Sequence, residues 1–342
     1  MTGVSTDQVD IGVVHLDQGV WAFHRNDFET ALVEFDMALE LLEDSPYAKF
    51  NRSLTLLALG RYPEGWRDYR TCWQIYRNEL TERGKRLYFY DRHPLWKGEL
   101  DVPVTILHEA GFGDGIQMMR YVPMVQALAS SVTLEMPQPL HRLASQLAPI
   151  LDSDEIDGYV VPWFNLMQIF EQTKDTVPPP PYLQPDVELA ARWANQIGNG
   201  GRRRIGICWS TKFDGETEPL PARRPIPLAQ FLASLSVRDC DFYSLQIQER
   251  EEAKAHGVHT PEFEDFADVA ALMSLMDMVV SIDTAVAHLA GAIGHPCANV
   301  LLPYAATWRW LHGNWYPDMN LCKQLRPGDW VSAFEQVKWP TR

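Results

Sequence analysis

The spacing of apolar positions divides the chain into an all-helical opening and two longer stretches in which strands and helices alternate. Between about residues 14 and 80, Ala22, Phe28, Ala31, Phe35 and Leu39 are answered 34 residues later by Leu56, Tyr62, Gly65, Tyr69 and Trp73. Self-similarity at that period, with small residues where helices cross, predicts paired antiparallel helices. The segments starting at Asp27 and Arg61 each open a second helix, and Pro63 falls in a first turn, where proline is tolerated. Two repeats are fewer than a free-standing solenoid needs, so they are expected to lean on the domain that follows.

From residue 102 the period changes. A strand rich in branched residues over 102–108 leads into Glu109-Ala-Gly-Phe-Gly-Asp-Gly115. Ile116, Met119, Val122, Val125 and Leu128 then keep a helical spacing. A strand over 131–136 and a helix over 139–147 follow. Strand, helix, strand predicts a parallel sheet. Pro178 to Pro181 forms a stiff extended run suited to a crossing between lobes. A helix over 187–197 and the break Gly198-Asn-Gly-Gly201 lead to a second alternating stretch. Its expected strands are 205–209, 241–246, 278–282 and 298–302, its helices 228–235, 268–276 and 284–293, and its closing helix 330–339. The expected units are residues 1–90, 91–200 and 201–342.

Charge narrows the partners. Thirty basic and 45 acidic side chains leave a net charge of −15, which repels polyanions and argues against nucleic acid as the main partner. Cys72, Cys208, Cys240, Cys297 and Cys322 are odd in number and lack metal-ligand spacing, which suits reduced thiols in the cytoplasm. The first ten residues show no secretion signal. The most apolar region, 269–306, is interrupted by Asp277, Asp283, His288 and Pro296, so no membrane span is expected.

The candidate chemistry lies where strands run into helices. A glycine turn there lets backbone approach a ligand and aims a helix N-terminus at an anion. The dinucleotide fingerprint G-x-G-x-x-G fails, because Gly111 and Gly113 fit but Ile116 holds the third position. That argues against a nicotinamide dehydrogenase. Asp114 is open to two readings, a general base for an acceptor hydroxyl or a cap of its own helix. Asp152-Ser-Asp154 resembles a metal-binding D-x-D string, but it stands in an acidic run typical of a solvated loop, so no metal is expected. In the second stretch a buried strand ends at Asp283, and Thr284 and Ala285 start a helix whose free N–H groups suit a diphosphate. Asp283 could hold the loop or a ribose hydroxyl. His288 falls on the same face as Thr284 one turn later, as a phosphate contact or a packed histidine. Arg223 and Arg224, with Lys212 near in sequence, suit an anion contact or a solvated basic loop. Trp308, Trp310, Trp315 and Tyr316 offer stacking faces or anchor the tail.

An ordered set of segments resembles tetratricopeptide-repeat proteins whose C-terminal part is similar to glycosyltransferase family nine, the heptosyltransferase-like enzymes, and more distantly the O-linked N-acetylglucosamine transferases. The segments are Leu59-Gly-Arg-Tyr-Pro-Glu-Gly-Trp66, Pro94-Leu-Trp-Lys-Gly-Glu99, Gly111-Phe-Gly-Asp114 with Gln117 and Arg120-Tyr-Val-Pro123, and Arg224-Pro-Ile-Pro-Leu228. Ser244-Leu-Gln246, Asp283-Thr-Ala-Val-Ala-His-Leu-Ala-Gly291, Trp308-Arg-Trp310, Trp315-Tyr-Pro317 and Arg326-Pro-Gly-Asp-Trp330 complete the set. The resemblance implies an α/β chain with an α-helical N-terminal part: tetratricopeptide-like repeats followed by a GT-B pair of Rossmann-like lobes. It implies an inverting, metal-independent transfer from a nucleoside-diphosphate sugar to a protein or glycan acceptor, with no cofactor beyond that co-substrate. Asp114 is then the base. Gly111, Gly113, Trp209, Lys212, Arg224, Gln246, Asp283, Thr284, Ala285 and His288 form the nucleotide-sugar site. The sequence departs from the family at Glu109-Ala-Gly111, at Gly115, and at Ile247 and Gln248 after the Ser-Leu-Gln motif. Those departures leave an alternative, a repeat-based interaction scaffold with a non-catalytic transferase-like half.

Overall fold

The computed structural model describes residues 6–69, 92–153, 155–198, 200–211, 219–235, 239–312 and 315–340. Cys72, Trp73, Asp154 and Lys212 lie outside the described residues. Two consecutive helix pairs open the chain: α1 (Thr6–His24) with α2 (Phe28–Leu41), and α3 (Pro46–Ala58) with α4 (Tyr62–Tyr69). Local sequence fixes their starts. Asp27 accepts from the Thr30 N–H at 3.3 Å, and Ser45 accepts from Ala48 at 3.3 Å with Pro46 in the first turn. Ala31 and Phe35 are fully buried between α1 and α2, and Gly65 is buried in α4.

The helices do not stand apart from the rest. The Trp66 indole donates to the Gln172 carbonyl at 2.6 Å, and the Asn26 amide donates to the Tyr304 carbonyl at 2.9 Å. Trp66 meets Trp308 edge-on with ring centres 5.3 Å apart, and Tyr69 meets Phe164 likewise at 5.3 Å. Leu57, Trp66 and Tyr69 therefore belong to the same apolar core as the following lobes.

In the first lobe β1 (Pro103–Leu107) leads to α5 (Phe112–Met118) and α6 (Val122–Gln126), then β2 (Ser131–Glu135) and the short α7 (His141–Ala144). β3 (Tyr159–Pro162) runs directly into α8 (Trp163–Ile169), and α9 (Val187–Ile197) crosses to the second lobe. The sheet order is β2-β1-β3, all parallel. The helix expected over 139–147 is a 3-10 turn at Gln138–Leu140 followed by one turn of α7. α5 begins at Phe112, four residues before the expected start, so Gly113 and Gly115 lie within the helix.

The second lobe carries β4 (Arg203–Cys208), α10 (Leu228–Leu235), β5 (Cys240–Ser244), α11 (Arg250–Ala255), α12 (Phe266–Met273) and β6 (Met278–Ile282). α13 (Ala285–Ala292), β7 (Ala298–Leu302), α14 (Trp308–Leu311), β8 (Asn320–Lys323) and α15 (Trp330–Phe334) complete it. The order is β5-β4-β6-β7-β8, again parallel. Both faces are buried, as parallel sheets require. Ile205, Ile207, Met278, Val280, Ile282 and Leu301 pack one face, while Cys208, Val279, Val300 and Leu302 pack the other. α15 ends at Phe334, short of the expected 339. The chain beyond it bonds to the sheet edge instead: Gln336 exchanges hydrogen bonds with the Lys323 backbone at 3.2 and 2.8 Å, and the Lys338 N–H donates to Asn299 at 2.8 Å.

Candidate active site

The carboxyl ends of β1 and β6 face each other, and each feeds a helix. On the first-lobe side the Asp114 carboxylate turns back and accepts from the Gly111 N–H at 3.1 Å, closing the start of α5 upon itself. Its other oxygen accepts from Arg309 Nη2 at 2.9 Å, an ion pair across 195 residues of sequence.

On the second-lobe side Thr284 stands at the cap position of α13 in extended conformation, and its side chain makes no capping bond. The hydroxyl instead points back to Ser281 Oγ at 3.2 Å and Cys208 Sγ at 3.4 Å. The helix start is thus left to the opposing surface. Gly113 supplies that surface: a methyl group there would meet His288 Cδ2 at 3.0 Å and the Ala285 Cα and N at 3.2 and 3.3 Å. Gly115 is small for a related reason, since a side chain would lie 2.8 Å from the His108 ring.

Asp283 is buried, and burial pushes its carboxyl above the ordinary range while the charge of Arg224 pulls the other way. Arg224 Nη1 donates to the Asp283 carbonyl at 3.3 Å, which brings this arginine to the carboxyl end of β6. His288 is buried, stacks on Trp310 with ring centres 5.0 Å apart, and shares a 3.0 Å hydrogen bond with the Tyr316 hydroxyl through Nδ1. Burial first, then the charges of Arg309 and Arg120, holds its imidazole well below the usual range. It is therefore neutral, and its 3.9 Å approach to Asp283 is a contact between groups rather than an ion pair.

Gln246 and Trp209 belong to the frame of the site. The Gln246 side-chain oxygen accepts from the Trp209 and Ser210 N–H groups at 2.9 and 3.1 Å, which ties the ends of β4 and β5 together. The Trp209 ring is buried in the core of the second sheet, away from any stacking role. Trp308, Trp310 and Trp315 are buried too. The structure thus brings Gly111, Gly113, Asp114, Arg224, Asp283, Thr284, Ala285 and His288 to one junction, with Gln246 and Trp209 behind it. The basic run Arg202–Arg204 lies elsewhere, lining an open cleft of about 420 Å³ with Gly201 and Asp277 at the amino edge of the second sheet.

Two arginines went unnoticed as single residues. Arg120, 1% exposed, donates to the carbonyls of Gln117, Trp315 and Pro178 and to the Tyr182 hydroxyl, bolting the lobes together. Its guanidinium lies within 4.9 Å of the Tyr182, Trp315 and Tyr316 ring centres. Arg309 rides on α14 between two tryptophans. The only sequence signal for either was its place in a family-like segment, Arg120-Tyr-Val-Pro123 and Trp308-Arg-Trp310.

No family model matches the chain. Among curated proteins it is similar to Protein FlbA of Caulobacter vibrioides, 27% identical over 365 residues that cover 92% of this chain. The chain spans 59% of that relative's length. Among solved structures it is similar to the glycosyl transferase family 9 protein of Veillonella parvula, with a TM-score of 0.54, 12% identity, 70% of this chain and 96% of that one. This likeness shows the fold. The chain folds as an α/β protein of two parallel-sheet lobes, the architecture of that glycosyltransferase. A structure of E. coli ADP-heptose lps heptosyltransferase II gives a TM-score of 0.48 at 13% identity, over 69% of this chain and 97% of that one. Among the described residues no helix is long and apolar enough to cross a membrane.

Proposed function

We propose that the chain is a glycosyltransferase that moves a sugar from a nucleoside-diphosphate sugar to an acceptor hydroxyl, with inversion. The observation that carries this reading is the uncapped start of α13, facing Asp114 across the lobe junction with Arg224 beside it. In the reaction the acceptor oxygen forms a bond to the anomeric carbon as the bond to the diphosphate oxygen breaks. The acceptor proton passes to Asp114, and the electron pair leaves with the diphosphate. The N–H groups of α13 and the arginines meet the charge on the leaving group, a task a metal ion performs in other transferases. His288, being neutral, serves as a hydrogen-bonding group rather than a cation.

The helical opening, read as tetratricopeptide-like, favours a protein or peptide acceptor. Its first pair leaves Val14, Trp21, Val33 and Met37 exposed among acidic residues, a surface fit for a partner chain. Buried thiols outside any disulfide at Cys208 and Cys322 suit the cytoplasm. A second reading, a scaffold whose transferase-like half does not turn over, is favoured by the ion pair that occupies Asp114.

A melting-temperature panel with UDP, GDP, ADP, dTDP and CMP, with and without EDTA, tests the proposal. A ligand at a hundredfold excess over its dissociation constant stabilises by about 2.7 kcal/mol, enough to see. One diphosphate should raise the melt regardless of EDTA, and the matching nucleotide-sugar should then be consumed. No shift from any nucleotide moves the weight to the scaffold.

A further inference from the structure

Arg309 is held through its neighbours in sequence as well as through its own contacts. α14 has four residues, and three of its surroundings hold it: Trp308 against Trp66 of the helical opening and against Trp315, and Trp310 against His288. Both tryptophans are nearly inaccessible, so the backbone at residue 309 is pinned while the guanidinium reaches out between them. It lies over the Trp308 ring at 4.9 Å and ends on Asp114 at 2.9 Å, next to Gly113, where a methyl group would meet Ala285 and His288. The side chain of Arg309 is 13% exposed and that of Asp114 26%, so the pair is sheltered but reachable.

We infer that Arg309 exchanges partners when the donor binds, leaving Asp114 for the diphosphate. The inference rests on the donor reading above. A diphosphate carries more charge than one carboxylate and accepts the guanidinium fork in bidentate fashion. Its arrival at α13 draws Arg309 across, and Asp114 keeps only the Gly111 N–H. The carboxylate that was engaged in the empty protein is then free to take the acceptor proton. The exchange imposes an order. The base stays occupied until the donor is seated, and the cation that released it stays to neutralise the leaving group. The helical opening enters this chemistry through the Trp66–Trp308 contact, as a positioning element for Arg309.

Partner exchange makes opposite predictions for the two members of the pair, which a fixed clip between lobes does not. Isothermal titration with UDP, GDP, ADP and dTDP on the full chain identifies the nucleotide that binds wild type. For that nucleotide Asp114→Asn, which removes the competing charge and keeps the shape, should bind about threefold to tenfold tighter. Arg309→Gln should bind about tenfold weaker or worse, and Arg309→Lys should recover part of the loss. Melting curves without nucleotide show that each variant is folded, and Arg309→Lys carries the test should Arg309→Gln not fold. Unchanged or weaker binding by Asp114→Asn, or undiminished binding by both Arg309 variants, overturns the exchange while wild-type binding leaves the donor reading standing. Binding of none of the four nucleotides to wild type overturns both.

Discussion

Two helices start at facing ends of two parallel sheets, and they treat their first turns differently. α5 satisfies its own start: Asp114, three residues past Gly111, bends back to the Gly111 N–H. α13 leaves its start uncapped, because Thr284 spends its hydroxyl on Ser281 and Cys208 behind it. Among the described residues neither helix has a side-chain bond to its first-turn N–H groups, but α13 has Arg224 at its start and α5 has the Asp114 carboxylate in its first turn, so an anion is favoured at α13. On the reading proposed above, the donor would meet the second lobe and the proton-accepting group would come from the first. The comparison also explains why glycine, and nothing larger, stands at residue 113 between them.

The largest effect is expected from giving α13 a carboxylate at its cap position. Thr284→Asp gives α13 its own carboxylate cap and should weaken diphosphate binding by about hundredfold or more, while leaving the melting temperature level or higher. Undiminished binding by titration calorimetry would place the anion elsewhere. The next effect is steric. Gly113→Ala drives a methyl against Ala285 backbone and the His288 ring, and should cost about 1–3 kcal/mol in a denaturant melt. Gly111→Ala has only the Asp114 carboxylate nearby, at 3.4 Å, and should cost less than about 1 kcal/mol. Equal costs would mean that the lobes are not in contact at residue 113.

The smallest effect is a pH dependence. Burial lowers the pKa of His288 and of His295 from the ordinary 6.5. The unfolded chain therefore takes up protons that the folded chain refuses as pH drops below about 6.5. Stability present above that pH is lost as pH falls, by up to ~1.4 kcal/mol per pH unit for each histidine. Melting temperature should decline between about pH 7 and pH 5.5, and His288→Gln should flatten part of that slope. A flat profile in wild type would mean that both imidazoles are solvated.

The alternation of strand and helix made the second lobe readable, and the Asp283–His288 segment announced its junction because a buried strand, a small-residue helix start and a histidine one turn later fall within a few residues. β3 and β8, four residues each, were not foreseen: Tyr159–Pro162 ends in proline and Asn320–Lys323 is half polar, so neither shows a strand's alternation. Gly115 looked like an irregular addition to the turn, yet it sits inside α5 under the His108 ring. Trp209, which the resemblance puts in the nucleotide-sugar site, has its ring in the core of the second sheet. The pairing of Arg309 with Asp114 had no local trace at all, since it joins residues 195 apart. Local pattern reveals where a helix starts; it does not reveal what arrives from another lobe to meet it.

The indole of Trp66, bonded to the Gln172 carbonyl and packed on Trp308, has a consequence for how this chain can be cut and recombined. A two-lobed half excised after residue 92 would leave the Trp308 face that meets Trp66 open to water and the Gln172 carbonyl without its donor. Shuffling the helical opening for a foreign recognition module, keeping the lobes intact, would therefore disturb the lobes themselves. Any chimera that works has to bring its own aromatic residue to that seam.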